Sequence, residues 1–370
     1  MSGIIRTHNH SKSESKHSLR HTILTNHRRN IRGVIDVQFN WIFVLVAGFV
    51  IFLFIISIIF SQKHAADRQS SISAMNQITT ILKSKQQTSD VYSETIIPST
   101  TMTFTCDEDT GIFNYKISDS ERTDLPTAIL FAPAELSTNK LLIWSQAFNT
   151  GFPVSVFTYL TTSDSVIIIY YNSQDTSTNP DPQIQGYAST IFDDLPSNIT
   201  KTMSTKLHDY DGYKHEKIVC IEGDCPSQNG ASGGKDYMMI TPGDNGLYNY
   251  GNVTFYKNGH IDEKLPYFTK AGLYGAIFSY SPQYYNCQMS RALKQFEFKR
   301  SLVEKRLNLL YTDIDNNDCK TTIRVALDRA VIPMSNATLN SDNVTFMDDT
   351  MKNLDSWNTD LTLSSCPKIY

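Results

Sequence analysis

The chain contains no motif that identifies a reaction. It lacks the G-x-S-x-G turn of serine hydrolases. Its glycine-rich loop, GASGGK, has the wrong spacing for a phosphate loop, and no Ser or Thr follows the lysine. Its six cysteines include one close pair and no second pair to complete a zinc site. Enzymatic activity is therefore left open, a non-enzymatic protein is favoured, and no cofactor is expected.

Positive charge is scarce beyond residue 60, where acidic residues outnumber basic ones. A nucleic-acid-binding protein needs clustered Lys and Arg, because it must neutralise phosphates. We therefore expect no nucleic-acid partner. Internal repeats are also absent, and no linker is long enough to divide residues 96–370, so this region is expected to form one domain.

Charge is missing altogether from residues 41–60, WIFVLVAGFVIFLFIISIIF. At ~1.5 Å per residue, a helix of roughly 20 apolar residues spans a bilayer core. The first forty residues hold seven Lys or Arg and only two acidic residues, which predicts a cytoplasmic N-terminus. The apolar run exceeds that of a cleaved signal peptide. The sequence thus predicts a signal anchor in a single-pass membrane protein, with the lipid bilayer as a partner.

Composition divides the chain into four regions. They are a disordered basic cytoplasmic tail at 1–38, a transmembrane helix at 39–61, a helical stalk at 62–95 and an extracytoplasmic domain at 96–370. The stalk has the apolar stripe of an amphipathic helix, with residues three or four apart at Ile72, Met75, Ile78 and Leu82. This stripe predicts packing either on the domain itself or on a second copy, so self-association through the transmembrane and stalk helix stays open.

Residues beyond 96 alternate between short apolar runs and helical patterns, which predicts an α/β or α+β fold with a mixed β-sheet covered by helices. Strands are predicted at TMTFT, AILFA, PVSVFTYL, SVIIIYY, EKIVCI, YMMIT and YGNVTFY. A tight hairpin is predicted at Asn258-Gly259. Helices are predicted at 183–194 and 285–311, with further segments at 321–332 and 346–357. The aromatic runs at 246–256 and 274–285 are interpreted as strands whose rings mostly face the core, and a sticky or carbohydrate-stacking binding face stays open as the alternative.

The cysteines and glycosylation sequons agree with an exterior domain. All six cysteines follow the apolar run, and their even number predicts three disulfides among Cys106, Cys220, Cys225, Cys287, Cys319 and Cys366. Only the Cys220 to Cys225 pairing is suggested by proximity. Four N-x-S/T sequons provide candidate glycosylation sites at Asn198, Asn252, Asn336 and Asn343.

Two groups of residues are weak candidates for metal ligands. Asp313, Asp315 and Asn317 match the first three positions of a calcium loop, but the sixth position lacks the required glycine and the twelfth lacks glutamate, so a solvated loop is favoured. His208, Asp211 and His215 lie within eight residues and carry ligand-type side chains, but an ordinary exposed turn at Asp211-Gly212 is the favoured interpretation.

The segment FNWIFVLVAGFVIF, followed by TFTC, AILFAPAEL and LLIWSQAFNTGFPVSVFTYLT, resembles a set of uncharacterised archaeal single-pass membrane proteins. The resemblance implies an anchor and an extracytoplasmic domain but no activity. The same segment is similar, more weakly, to archaeal type IV pilin precursors, in which a basic leader ends at a glycine before an apolar helix. That resemblance implies cleavage after Gly33 and a helix that enters a filament core.

The sequence leaves three hypotheses for the function open. The first is an anchored surface protein whose disulfide-containing domain binds a partner, a glycan or its own copies. The second is a filament subunit processed after Gly33. The third is an anchored extracytoplasmic hydrolase with active residues scattered along the sequence, which would require polar side chains to converge in a concave pocket.

Overall fold

The computed structural model describes residues 32–85, 88–107, 110–117, 123–124, 128–171, 182–205, 212–222, 236–243, 246–336 and 341–370. The chain divides into two compact units, Met1–His64 and Ala65–Tyr370. The helices are α1 (Arg32–Lys85), α2 (Pro182–Asp194), α3 (Thr269–Phe278), α4 (Pro282–Asp313), α5 (Asn317–Ala326) and α6 (Ser341–Leu363). A π-helical turn, Leu327–Val331, and a 3-10 turn, Pro333–Asn336, follow α5.

The first unit contains the apolar helix. Residues Trp41–Lys63 form the one helix in the described part of the chain that is long and apolar enough to cross a membrane. None of the most apolar window of this segment is buried by protein. A row of exposed Phe, Ile, Leu and Val side chains is unstable in water, so the finding agrees with a membrane anchor. Helix α1 begins at Arg32, so residues 32–38, predicted as part of the tail, are helical. Residues 1–31 lie outside the described residues.

The second unit contains two six-stranded sheets. Sheet A has the strand order β3-β2-β1-β5-β6-β4, and sheet B has the order β12-β11-β10-β9-β7-β8. The strands are β1 (Val91–Cys106), β2 (Phe113–Ile117), β3 (Thr123–Asp124), β4 (Ile129–Phe131), β5 (Glu135–Asn149), β6 (Pro153–Thr162), β7 (Ser165–Tyr170), β8 (Thr200–Ser204), β9 (His215–Ile221), β10 (Tyr237–Gly243), β11 (Gly246–Lys257) and β12 (His260–Phe268).

Both sheets are mixed, as expected for the α+β fold. In sheet A only the β4–β6 pair is parallel. In sheet B the strands β10, β9, β7 and β8 are parallel, and β11 and β12 add antiparallel hairpins. The predicted hairpin is confirmed, because Lys257 pairs with His260 across Asn258 and Gly259, which both have positive φ.

A central apolar core joins the inner faces of both sheets. It includes Phe131, Trp144 and Tyr159 from sheet A and Val219 and Val253 from sheet B. Helix α3 contacts β5 and β6 of sheet A and β11 and β12 of sheet B, and its residues from Ala271 to Phe278 are all buried. At Gly275 an added Cβ would lie 2.7 Å from the Phe131 ring, so glycine permits this close approach. The helix therefore lies inside the core, in contact with both sheets.

Helix α3 corrects one sequence interpretation. Residues 274–285 were interpreted as strand, but they form the end of α3 and the start of α4. A helix that is buried on every side has no polar face, so its sequence shows no helical period. The aromatic side chains do face the core as expected, with Tyr274, Tyr284 and Tyr285 each buried.

The part of α1 beyond residue 65 belongs to the folded unit. Ala74, Met75, Ile78 and Leu82 are buried, and the last three pack in a second apolar cluster with residues of β1, β2, β4 and β5. Helix α1 ends at Lys85, and β1 begins at Val91, inside the segment 62–95 predicted as stalk. Asp90 has a φ of 58°, and a Thr-Ser-Asp turn of this kind ends a helix because the polar side chains compete for the backbone.

Disulfides link distant parts of this unit. Cys106 at the end of β1 is bonded to Cys287 in α4, and Cys319 in α5 is bonded to Cys366 near the C-terminus. Cys220 is also disulfide-bonded, while Cys225 lies outside the described residues. The two described pairs support the presence of disulfides, and they agree with an oxidising compartment.

Candidate functional site

A cleft of about 580 Å³ opens where several strands of sheet B begin. It lies at the amino ends of the parallel strands β7, β9 and β10, beside the end of α3 and the start of α4. Its walls are mostly apolar, as is usual for ligand pockets. Its apolar lining residues include Phe255, Ile277, Phe278 and Tyr280.

Lys217 is a half-buried charged group that lines this cleft. The strand pairing explains its position, since Lys217 lies opposite Ile167, whose side chain belongs to the central core. Side chains two apart on a strand share one face. Lys217 therefore lies on the same face as Val219 and Ile221, which are core residues. A lysine therefore occupies a core-facing position near the amino end of β9.

The surroundings of the Lys217 ammonium group are largely apolar. Its Nζ donates a hydrogen bond to the carbonyl oxygen of Ser279 at 2.8 Å, and it lies 5.3 Å from the centre of the Phe255 ring. Ser279 is the C-cap of α3, where exposed carbonyls and the helix dipole favour a cation. Burial lowers the pKa of Lys217 to about 8, against the smaller opposing effect of Asp236.

The ammonium group has no carboxylate partner among the described residues. Three N–H groups are available on a lysine, and the Ser279 carbonyl accepts one of them. Glu135, Asp236 and Asp262 line the cleft, but their side chains are exposed at its rim. Glu216 is next to Lys217 on β9 and is directed to the opposite face of the sheet by the strand alternation. Lys217 is half-buried, and a partly desolvated cation without an ion pair is energetically unfavourable; such groups concentrate at functional sites.

His215 is the one predicted metal ligand that reaches this cleft. It begins β9, two residues before Lys217 and on the same face. In the described part of the structure its imidazole makes no hydrogen bond and lies in no group of three or more His, Cys, Asp or Glu side chains that could hold a metal ion. His208 and Asp211 lie outside the described residues.

The other candidate metal ligands lie at a junction between helices. Asp313 ends α4, Asp315 lies in the connection, and Asn317 begins α5; all three are exposed. Asn316 caps α5, since its Oδ1 accepts hydrogen bonds from the backbone N–H groups of Asp318 and Cys319. The polar sequence DIDNND is accounted for by this capped turn beside the Cys319–Cys366 disulfide.

The candidate glycosylation sites differ in exposure. Asn198 is exposed in the turn between α2 and β8, whereas Asn252 is half-buried within β11, between two neighbouring strands. Asn336 ends the 3-10 turn and Asn343 lies in the first turn of α6, and the side chains of both are outside the described residues. Asn198 is thus the more accessible of the two acceptors whose side chains are described.

A second, more open cavity of about 480 Å³ lies along α4 and includes Arg291, Lys294 and Lys299. Arg291 is already engaged, because it donates a hydrogen bond to Gln288 Oε1 at 3.2 Å and stacks over Phe113 at 5.3 Å. The two lysines of this cavity, Lys294 and Lys299, are exposed at the surface. The cleft at Lys217 is the better candidate for a binding site.

Sequence reasoning did not identify Lys217. Its partners Ser279 and Phe255 are distant in sequence, and the face on which it lies depends on strand pairing. The available signal was the two-residue spacing of Lys217, Val219 and Ile221 in EKIVCI. This spacing puts the lysine on the same face of the strand as two core residues. Comparison of the chain with protein-family models, with curated proteins and with solved structures gives no match, so no family is shown for it.

Proposed function

We propose that the chain is a single-pass, membrane-anchored surface protein whose extracytoplasmic domain binds a ligand or partner through the cleft at Lys217. Residues 1–38 are cytoplasmic in this proposal, Trp41–Lys63 crosses the bilayer, and the two-sheet unit faces the outside. The observation that carries it is the position of the disulfide-bonded cysteines. All of them follow the apolar helix, and disulfides persist outside the cytoplasm.

The basic flank supports the same orientation. Seven Lys or Arg precede residue 41, and the positive-inside rule retains such segments in the cytoplasm. The signal anchor is thus proposed to remain attached, with the lipid bilayer as its permanent partner.

Sidedness is tested with an epitope tag after Tyr370 in intact cells. Added protease should remove the tag without membrane lysis, and a second tag before Met1 should survive until the membrane is opened. A C-terminal tag that is cut only after lysis, or a chain recovered from the soluble fraction, would refute the proposal.

Glycosylation gives an independent report of the same orientation. Asn198 is the exposed acceptor and Asn252 is the half-buried one, so Asn198→Gln should lower the mass of the native protein by one glycan while Asn252→Gln leaves it unchanged. Intact-protein mass spectrometry distinguishes the two variants. An unmodified Asn198 in the native protein would argue against glycosylation and leave the orientation to the tag experiment.

A filament subunit is the second candidate, and the exposed apolar segment of α1 is compatible with it. The helix exposes an apolar segment at Trp41–Lys63 and buries Ile78 and Leu82 in the folded unit. An apolar segment of this kind can pack against copies of itself as well as against lipid. This candidate predicts cleavage after Gly33, so mass spectrometry of the native N-terminus separates it from the anchored monomer. The hydrolase hypothesis has no comparable support, because no nucleophile–base hydrogen bond lines the described cleft.

A further inference from the structure

The cleft combines one half-buried cation with apolar lining residues, and this combination restricts what can bind there. The lining residues include the exposed Tyr280, the largely buried Phe255 and Phe278, and Lys217. Apolar walls favour an apolar body, and the unpaired ammonium favours a negative terminus.

The acidic residues of the rim do not reverse this preference. Glu135, Asp236 and Asp262 have exposed side chains, so water and salt screen them. Lys214 at the rim already has an ion-pair partner, since its Nζ lies 3.5 Å from Oδ2 of Asp164. Lys217 is half-buried, and a partly buried charge interacts more strongly with a ligand than an exposed one does.

The start of α4 adds to the attraction for an anion. Ser281 caps this helix by accepting a hydrogen bond from the backbone N–H of Tyr284, and Pro282, with no N–H group, occupies its first turn. The positive end of a 32-residue helix therefore opens on the same cleft. One ammonium with two available N–H groups matches the two oxygens of a carboxylate, whereas a phosphate usually requires a larger set of donors.

We propose that the cleft is a binding site for a small amphipathic carboxylate, with the carboxylate paired to Lys217 and an aromatic or other flat apolar group lying against Phe255 and Phe278. The proposal rests on the assignment of this domain as a binding domain and adds the chemical class of its ligand.

The test compares two probes that differ in charge alone, indole-3-acetate and indole-3-acetamide, on the full chain in detergent. The acid should bind roughly tenfold or more tightly than the amide, because a charge-assisted hydrogen bond is lost with the amide. Titration calorimetry or saturation-transfer NMR gives both affinities. Equal affinities, or no binding of the acid at millimolar concentration, would overturn the proposal.

Two variants assign the effect to one residue. Lys217→Met should bring the two affinities together, and Lys264→Met, at an exposed lysine of β12 that does not line the cleft, should leave the preference intact. Partition of the probes into micelles is the same for all three proteins, so it cancels. A preference that persists in Lys217→Met would show that the ligand lies elsewhere.

A labelling experiment on the wild-type chain covers the case in which Lys217→Met fails to fold. Trinitrobenzenesulfonate reacts with neutral amines, and peptide mass spectrometry reports the extent of modification at Lys217. Indole-3-acetate should protect Lys217 several-fold more than the amide does, and equal protection would count against the site. These measurements are independent of sidedness, so a failed topology experiment and a failed ligand experiment remain distinguishable.

Discussion

Helices α2 and α3 both end against a lysine of sheet B, and the two ends differ in what the lysine contacts. Lys201 on β8 donates to two carbonyls at the end of α2, that of Phe192 at 2.5 Å and that of Leu195. Lys217 on β9 donates to one carbonyl at the end of α3. Burial lowers the pKa of both lysines, but two carboxylates, Asp193 and Asp194, oppose the effect at Lys201.

The comparison separates a structural lysine from one available for binding. At the α2 end, the hydrogen-bonding capacity of the amine is largely used by the helix itself, and neighbouring carboxylates balance its charge. At the α3 end, the capacity is mostly unused and the amine lines a cleft. The same residue type at the same kind of helix terminus therefore has two different roles, and four predictions test that distinction.

The largest effect is expected from the Cys106–Cys287 disulfide, which lies close to the C-terminal end of α3 in the sequence. Helix α4 follows α3 directly and is bonded to β1 through Cys287 and Cys106, whereas α2 contains no cysteine. Replacing both cysteines by serine should lower the free energy of unfolding by roughly 3–5 kcal/mol. Loss of the Cys319–Cys366 bond should cost about 1 kcal/mol less, because its sequence separation is 47 residues against 181. Denaturant unfolding of both double variants gives the difference, and equal losses would contradict it.

The next effect concerns Asp194, the last residue of α2. Its carboxylate accepts hydrogen bonds from the hydroxyls of Tyr248 and Tyr274 and pairs with Lys270 at 3.0 Å. Asp194→Ala should therefore destabilise the domain by about 2–3 kcal/mol, since it removes the charged acceptor shared by two partly buried hydroxyls and the ion-pair partner of Lys270. Asp193→Ala is the matched control, because Asp193 is exposed one residue earlier. Thermal unfolding should distinguish the two, and similar shifts would remove the special role of Asp194.

Exchange of each lysine for methionine is expected to give opposite results. Lys201→Met should cost roughly 1–2 kcal/mol, because the carbonyls at the α2 end lose their donor. Lys217→Met loses a single hydrogen bond, to the Ser279 carbonyl, but it removes a desolvated charge and preserves the side-chain volume, so it should be neutral or stabilising by up to about 1 kcal/mol. Unfolding midpoints of the two variants test the pair. A Lys217→Met chain that is less stable than Lys201→Met would show that Lys217 is mainly structural.

The smallest effect is a pH dependence. Burial lowers the pKa of Lys217 to about 8 in the folded chain, against 10.5 for an unperturbed lysine. Between these values the unfolded chain binds more protons, so the stability of the wild type should rise with pH relative to Lys217→Met. Taking the difference cancels the other charged groups that line the cleft, which are Glu135, Lys214, His215, Glu216, Asp236, Lys257 and Asp262. A difference that stays constant from pH 7 to 10 would contradict the lowered pKa.

Much of sheet B was predictable from local sequence. SVIIIYY and EKIVCI are dense in β-branched residues, residues 183–194 form the expected helix, and Asn258-Gly259 forms the expected turn. Each of these depends on local chemistry alone: side-chain shape for the strands and positive φ for the turn.

The site and the central helix were not predictable in the same way. Helix α3 has no polar face because both sheets cover it, so periodicity could not reveal it. Lys217 acquires its environment from Ser279 and Phe255, which only the folded chain brings near it. The Cys106–Cys287 pairing spans 181 residues and was one of many possible connections. Long-range contacts of this kind leave no local pattern to recognise.

The buried position of α3 has a consequence for biosynthesis. Phe131, Trp144 and Tyr159 of sheet A are covered by a helix that begins only at Thr269, more than a hundred residues later in the chain. Translation proceeds at roughly 5–20 residues per second, so a nascent chain carries this apolar surface uncovered for several seconds before its cover is made. A chaperone that shields exposed strands during that interval is therefore expected to decide how much of the protein reaches its native state.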